Sequence, residues 1–260
     1  MPTSYEVIFL GTLAQIDPIQ SNEVAENAAG ILGTHGSAND PLSSHVHNLS
    51  AEWLHEDHND TYDTDNHGGY DSFRIDGGTP QNFDAVATYA AVVHYVDGTT
   101  ANITAVVFQD VNGNTYLAPQ TTENADQAAL TAKPIQTIDL NSVIADTGDM
   151  TADRAAGDFK TAVDGTAGND TMTLGYTDAQ GDQITGGNDY VAGYGGDDLM
   201  AADAGDDTLI GGDGDDTLRG GAGADSMDGG TGRNVLDYSD STSGVTANLL
   251  TNVVFGGYAD

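Results

Sequence analysis

Along the chain the spacing of apolar and polar positions changes once, from strand-like alternation to a nine-residue period. Residues 5–10 alternate around Val7 and Phe9, and Asp71 to Ile75 reads as a short strand before an Asp76-Gly77-Gly78 turn. From Phe83 to Ala118 β-branched and aromatic runs are cut by Asp97-Gly98 and Asn112-Gly113, the signature of an antiparallel meander. Thr122 to Ala132 reads as one short helix capped by Thr121 or Thr122, and Ile135 to Val143 returns to strand. These elements predict an antiparallel β-sandwich over residues 1–145, followed by a polar linker over 146–163.

The second half follows another rule. From Ile184, steps of nine give ITGGNDYVA, GYGGDDLMA, ADAGDDTLI, GGDGDDTLR, GGAGADSMD and GGTGRNVLD. The fourth position is always glycine: Gly187, Gly196, Gly205, Gly214, Gly223 and Gly232. The sixth is Asp189, Asp198, Asp207, Asp216, Asp225 and then Asn234, and the eighth is always apolar. An earlier unit, GTAGNDTMT from Gly165, supplies Asp170 and Met172; the ten-residue stretch LGYTDAQGDQ separates it and shifts the phase by one.

This spacing has a physical reading of its own. Six Gly-rich residues turn tightly and the next three form a very short strand with one side chain inward, so two units make one coil. Coils stacked about 4.8 Å apart bring sixth-position carboxylates 18 residues apart together, pairing Asp189 with Asp207, Asp198 with Asp216 and Asp207 with Asp225. Stacked like charges and so little apolar area cannot offset chain entropy without a counter-ion. Ca²⁺ answers that need, because it takes six to eight oxygens from carboxylates and carbonyls, and folding and metal binding then become one event. A disordered acidic linker would not keep three residue classes in register over six units.

These units resemble the RTX family of calcium-binding nonapeptide repeats, GGDGDDTLR matching its GGxGxDxUx pattern at every defined position, over about residues 164–237. The resemblance implies a right-handed parallel β-roll with Ca²⁺ between its turns and type I export of the unfolded chain through a C-terminal signal. Its implied metal residues are Asp170, Asp189, Asp198, Asp207, Asp216, Asp225 and Asn234, with the fourth-position glycines. Residues 238–260, with Val245, Leu249, Val253 and Val254, read as a β cap or the start of another repeat block. The segments YEVIFLGTLAQID, DSFRIDGG, YVDGTTANITAVVFQDVNGNTYLAP and ADQAAL resemble the N-terminal module of secreted proteins that combine RTX repeats with a Hint domain. No Hint domain lies within the chain, which is expected to be a piece of a longer protein.

Charge and composition narrow the function. With 41 Asp and Glu against 6 Lys and Arg, the formal charge is -35, which repels nucleic-acid phosphate and anionic lipid. No apolar run approaches the roughly 18 residues of a membrane span. Of 34 glycines, 22 follow residue 160, which sets the domain boundary near there. Cysteine is absent, which excludes disulfides, thiolate metal sites and cysteine nucleophiles. Val7 to Leu10 is too short for a secretory h-region, so export is expected by a route that does not read the N-terminus.

One further cluster invites metal. His45, His47, His55, His58 and His67 lie among acids, but His55-Glu56-Asp57-His58 puts two residues between its histidines where HExxH needs three. Asp63, Asp65 and His67 before Gly68 mimic an EF-hand start, yet the twelfth position is Arg74. The cluster reads first as a solvated polar loop. A secondary cation site at His55, His58, Asp63, Asp65 and His67, or a looser calcium site using Asp57 or Asp60, is the alternative. Trp53, Tyr62 and Tyr70 could stack on a sugar, although aromatics more often complete a core.

No nucleophile elbow, phosphate loop or dinucleotide fingerprint is present in the sequence. The expected protein is therefore a secreted, extracellular or cell-surface, non-enzymatic calcium-binding protein with a structural or adhesive role, contacting surface polysaccharide or itself. Two rivals stay open: part of a larger RTX exoenzyme or Hint-processed protein, and a glycan-binding adhesin.

Overall fold

The computed structural model describes residues 4–18, 24–38, 40–53, 61–62, 71–122, 124–146, 150–151, 154, 159–239 and 246–247. It divides into two compact units, Met1–Lys160 and Thr161–Asp260.

The first unit is antiparallel. Its strands are β1 (Ser4–Thr12), β2 (Gly33–Gly36), β3 (Val46–Trp53), β4 (Thr61–Tyr62), β5 (Ser72–Ile75), β6 (Gln81–Tyr95), β7 (Thr100–Asp110), β8 (Asn114–Ala118), β9 (Ile135–Ala145) and β10 (Met150–Thr151). The main sheet runs β2-β9-β6-β5-β3-β1-β8-β7, and β6 also pairs β7, so the ladder closes on itself. The 15-residue β6 makes this geometry: its first residues meet β5, its later ones meet β9, and its other edge follows β7 throughout.

Alternation buries both faces. Ile8, Leu10, Tyr89, Val93, Leu117 and Ile138 share one core, whereas Tyr5, Val7, Phe73, Phe83, Phe108 and Tyr116 share the other. In the second, the rings of Tyr62, Phe83, Phe108 and Tyr116 stack in sequence with centroids 5.1, 6.0 and 5.1 Å apart. Offset aromatic pairs add about 0.5–1.5 kcal/mol each beyond area burial, which locks the β4–β10 ribbon onto this face.

Of residues 146–163, expected as a linker, the described Met150 and Phe159 are core residues, and the buried Arg154 donates from Nε to the Pro119 carbonyl at 2.5 Å. Two other expectations change here. The helix, α1, spans only Ala125–Leu130 and is capped by Asn124, which accepts the Gln127 N–H, rather than by Thr121 or Thr122. Asn is the stronger cap, and its extended backbone presents the side chain to that amide. Tyr62, read as a ring that could stack on a sugar, is fully buried, because alternation in the paired β4 sends it into the aromatic stack.

The second unit is a parallel β-roll. β11 (Val163–Asp164), β13 (Tyr190–Ala192), β15 (Thr208–Ile210), β17 (Ser226–Asp228) and β19 (Thr246–Ala247) form one sheet. β12 (Thr171–Met172), β14 (Leu199–Ala201), β16 (Thr217–Arg219) and β18 (Val235–Asp237) form the other. The eighth-position residues Met172, Val191, Met200, Leu209, Leu218, Met227 and Leu236 fill the space between them, each no more than 4% exposed. Thr208 pairs Ser226 at an offset of 18, but Thr171 pairs Leu199 at 28. The difference is the ten residues 174–183, which add no strand to either sheet. They fold back through a Thr177–Gln183 bridge and are tied down by Asp178, which accepts the amides of Gln180, Gly181, Asp182 and Asp164. The phase shift of one is the remainder of a whole insertion. Of the expected C-terminal cap, Thr246–Ala247 pairs β17, while Val245, Leu249, Val253 and Val254 lie outside the described residues.

Candidate metal centre

Each coil presents two turns, so the sixth-position side chains form two rows. Asp170, Asp198, Asp216 and Asn234 make one, and Asp189, Asp207 and Asp225 the other, with every member one coil from the next. Within a row a single hydrogen bond repeats: Oδ1 of each later member accepts the backbone N–H of the member before it. The distances are 2.8 Å for Asp170 to Asp198, 2.9 Å for Asp198 to Asp216 and 2.8 Å for Asp216 to Asn234. In the other row Asp189 to Asp207 is 2.8 Å and Asp207 to Asp225 is 3.1 Å. The pairing expected from the 18-residue spacing is therefore made side chain to backbone.

That bond occupies one oxygen of each carboxylate. The second oxygen, Oδ2, of Asp198, Asp207 and Asp216 is buried and meets no hydrogen-bond donor. These side chains are 3%, 1% and 1% exposed, a costly place for an ionised group. Burial, followed by repulsion from neighbouring aspartates, pushes the carboxyls of Asp198 and Asp207 up to about 6 and that of Asp216 upward. Before Asp198 and Asp216 the first-position glycine, Gly193 or Gly211, makes room for this arrangement, whereas Ala202 holds that position before Asp207. A Cβ on Gly211 would run into Asp216 Oδ2, so the absent side chain is the space in which that oxygen sits.

Among the described residues no three His, Asp or Glu side chains converge on one point. A site here would combine row carboxylates with turn carbonyls, which suits a hard cation that takes oxygen ligands in flexible number. The fourth-position glycines line the same turns. Gly196, Gly205, Gly214, Gly223 and Gly232 have left-handed backbone, whereas Gly187 does not. At Gly214, with φ of 143°, a Cβ would also meet the Gly196 carbonyl oxygen one coil behind.

A model of the RTX calcium-binding nonapeptide repeat matches residues 185–209 and 201–236, with four copies. Residues 185–236 are RTX calcium-binding repeats. The cofactor of the RTX region is Ca²⁺, and the unpartnered oxygens of Asp198, Asp207 and Asp216 fit it. Bound Ca²⁺ supplies the counter-charge that lets buried carboxylates stay ionised. No curated protein and no solved structure matches the chain.

A second RTX ladder escaped the sequence reading. Fifth-position side chains accept the N–H of the next coil's fifth residue: Asn169 from Asp197, Asp197 from Asp215 and Asp215 from Arg233, each at 2.8–2.9 Å. Asn188 and Asp206 do the same for Asp206 and Ala224, both at 2.9 Å. The recurrence of Asn or Asp at position five was the available signal.

The histidine cluster comes apart where it is described. His45 faces Asp40 and His47 faces Asp76, each at 2.7 Å, as separate pairs. Arg74 is held by Glu52 on the neighbouring strand. His55, His58, Asp63, Asp65 and His67, together with Asp57, Asp60, Tyr70 and the Trp53 side chain, lie outside the described residues.

Proposed function

We propose that this chain is a secreted, extracellular, non-enzymatic protein with a structural or adhesive role, whose RTX region completes its folding only where calcium is plentiful. The observation that carries this reading is the set of buried, unpartnered carboxylate oxygens at Asp198 and Asp216 in one row and Asp207 in the other. Without a cation their burial opposes folding, so the coils that carry them stay open where Ca²⁺ is scarce and close at extracellular, roughly millimolar levels. An open chain suits type I export, and the closed roll then serves as a rigid extracellular element. The first unit, with both sheet faces buried, carries the surface that meets a polysaccharide or another copy.

The test is a calorimetric and circular-dichroism titration of the full chain with Ca²⁺, starting in chelator, with Mg²⁺ as control. A cooperative gain of β signal with Ca²⁺ alone is expected. A roll already folded in chelator that takes up no Ca²⁺ would overturn the reading. The non-enzymatic part is tested by polysaccharide, ester and peptide substrates with Ca²⁺ present, where turnover lost on N-terminal truncation would refute it.

A further inference from the structure

The turns of the roll close in two chemically different ways. In the turns 193–198, 202–207 and 211–216 the second residue has left-handed backbone, with φ of 68° at Tyr194, 81° at Asp203 and 105° at Gly212. These are the turns whose aspartates keep an unpartnered Oδ2. In the turns 165–170 and 184–189 the second residue is threonine, and neither Thr166 nor Thr185 has positive φ. Thr166 donates its N–H at 2.6 Å and its hydroxyl at 2.9 Å to Asp170 Oδ2. Thr185 donates its N–H to Asp189 Oδ2 at 2.9 Å, with its hydroxyl 3.3 Å from both carboxylate oxygens. Each hydroxyl also accepts an amide, from Gly168 at 3.2 Å and from Gly187 at 3.1 Å. The oxygen that waits for a partner in the later turns is already satisfied in the first coil.

The insertion 174–183 adds to this. Asp178 fixes its own turn and accepts the Asp164 amide, the Ile184 amide donates to the Tyr176 carbonyl, and Ile184 and Tyr176 pack on the roll core. Every one of these bonds is complete without a cation.

We infer that Thr166 and Thr185 close the first coil in place of calcium, so that residues 163–192 order before the metal arrives and calcium-dependent folding starts at Gly193. The inference rests on the calcium reading of the later coils. It removes Asp170 and Asp189 from the metal-dependent set and gives folding a direction, from a prebuilt first coil toward the C-terminal end.

Residue-resolved hydrogen exchange on the full chain, in chelator and in Ca²⁺, tests this. In chelator the amides of Gly168, Ile184, Thr185 and Gly187 are expected to exchange about a hundredfold slower than in unstructured chain, while those of Gly214, Asp216, Ser226 and Val235 exchange freely. Calcium then slows the second group. Replacing both threonines (T166V with T185V) removes the chelator-state protection of the first group, and T166S with T185S restores it. First-group amides that become protected only together with Gly214 on calcium addition would overturn the inference, as would a valine variant that leaves them unchanged. If calcium alters no amide in 193–237, the calcium reading itself falls and this inference with it.

Discussion

Asp216 accepts the backbone amide of Asp198 at 2.9 Å through Oδ1, and its own Oδ2 is buried without a partner. One atom of the carboxylate thus holds two coils together, and the other creates the demand for a cation. The two roles separate by mutation. Asp216→Asn keeps the amide acceptor, as Asn234 does one coil later at 2.8 Å, and removes the buried charge. Without metal the variant should populate the folded roll as much as the parent or more, while loss of calcium stabilisation amounts to about 2–3 kcal/mol at a hundredfold excess over Kd. Asp216→Ala should lose both. Denaturant melts of the two variants, with and without Ca²⁺, measure each part.

The same carboxylates set a pH dependence. Asp198 and Asp207 have folded-state values raised to about 6 by burial, above the value near 4 of an exposed chain. A raised value means that the folded state holds the proton more tightly, so this contribution to stability is full below about 4 and is lost as pH rises through 6. In chelator the equilibrium between the open and the closed roll should therefore lie further toward the closed form at pH 5 than at pH 7.5. Calcium affinity should run the other way, falling as pH drops below 6, because proton and cation compete for one oxygen. The β signal by circular dichroism in chelator and titration calorimetry with Ca²⁺, each at both pH values, check the opposed slopes.

Two glycines at the same repeat position should respond differently. Gly214→Ala places a Cβ on left-handed backbone and against the Gly196 carbonyl, and is expected to cost about 3 kcal/mol. Gly187→Ala has ordinary backbone, and its nearest neighbour is the Thr185 hydroxyl at 3.4 Å, so its cost should stay within about 1 kcal/mol. Calcium-saturated melts of the two variants, compared directly, decide it.

In the first unit the Tyr62 hydroxyl is buried without a hydrogen-bond partner while its ring stacks on Phe83. Tyr62→Phe should leave the unit as stable as the parent or raise its Tm, since a buried, unsatisfied hydroxyl costs about 1–3 kcal/mol. Tyr62→Ala should lose about 3–5 kcal/mol with the ring. Neither change should alter calcium uptake by the roll.

Much of this was legible in the chain. The meander from Phe83 to Ala118 follows from β-branched runs cut by Asp97-Gly98 and Asn112-Gly113; both turns close as three-residue loops with the glycine in left-handed backbone, so that His94 pairs Thr100 and Gln109 pairs Thr115. The roll follows from a nine-residue recurrence of glycine, aspartate and an apolar residue, because a fixed period repeats one local conformation and stacks like on like. Less legible were β2, β4 and β10, short strands whose partners lie far away in sequence, as Met150 lies from Tyr62.

The sequence by itself determined that there is a roll, which residues line its core and which aspartates stand one coil apart, because these depend on local period alone. Only the tertiary structure decided which carboxylate oxygens are left without a partner. Asp189 and Asp207 occupy the same place in the repeat, yet one is satisfied by Thr185 and the other is not. That difference arises from the second residue of each turn, Thr185 in one and the left-handed Asp203 in the other, a position at which the repeat pattern calls for glycine in both.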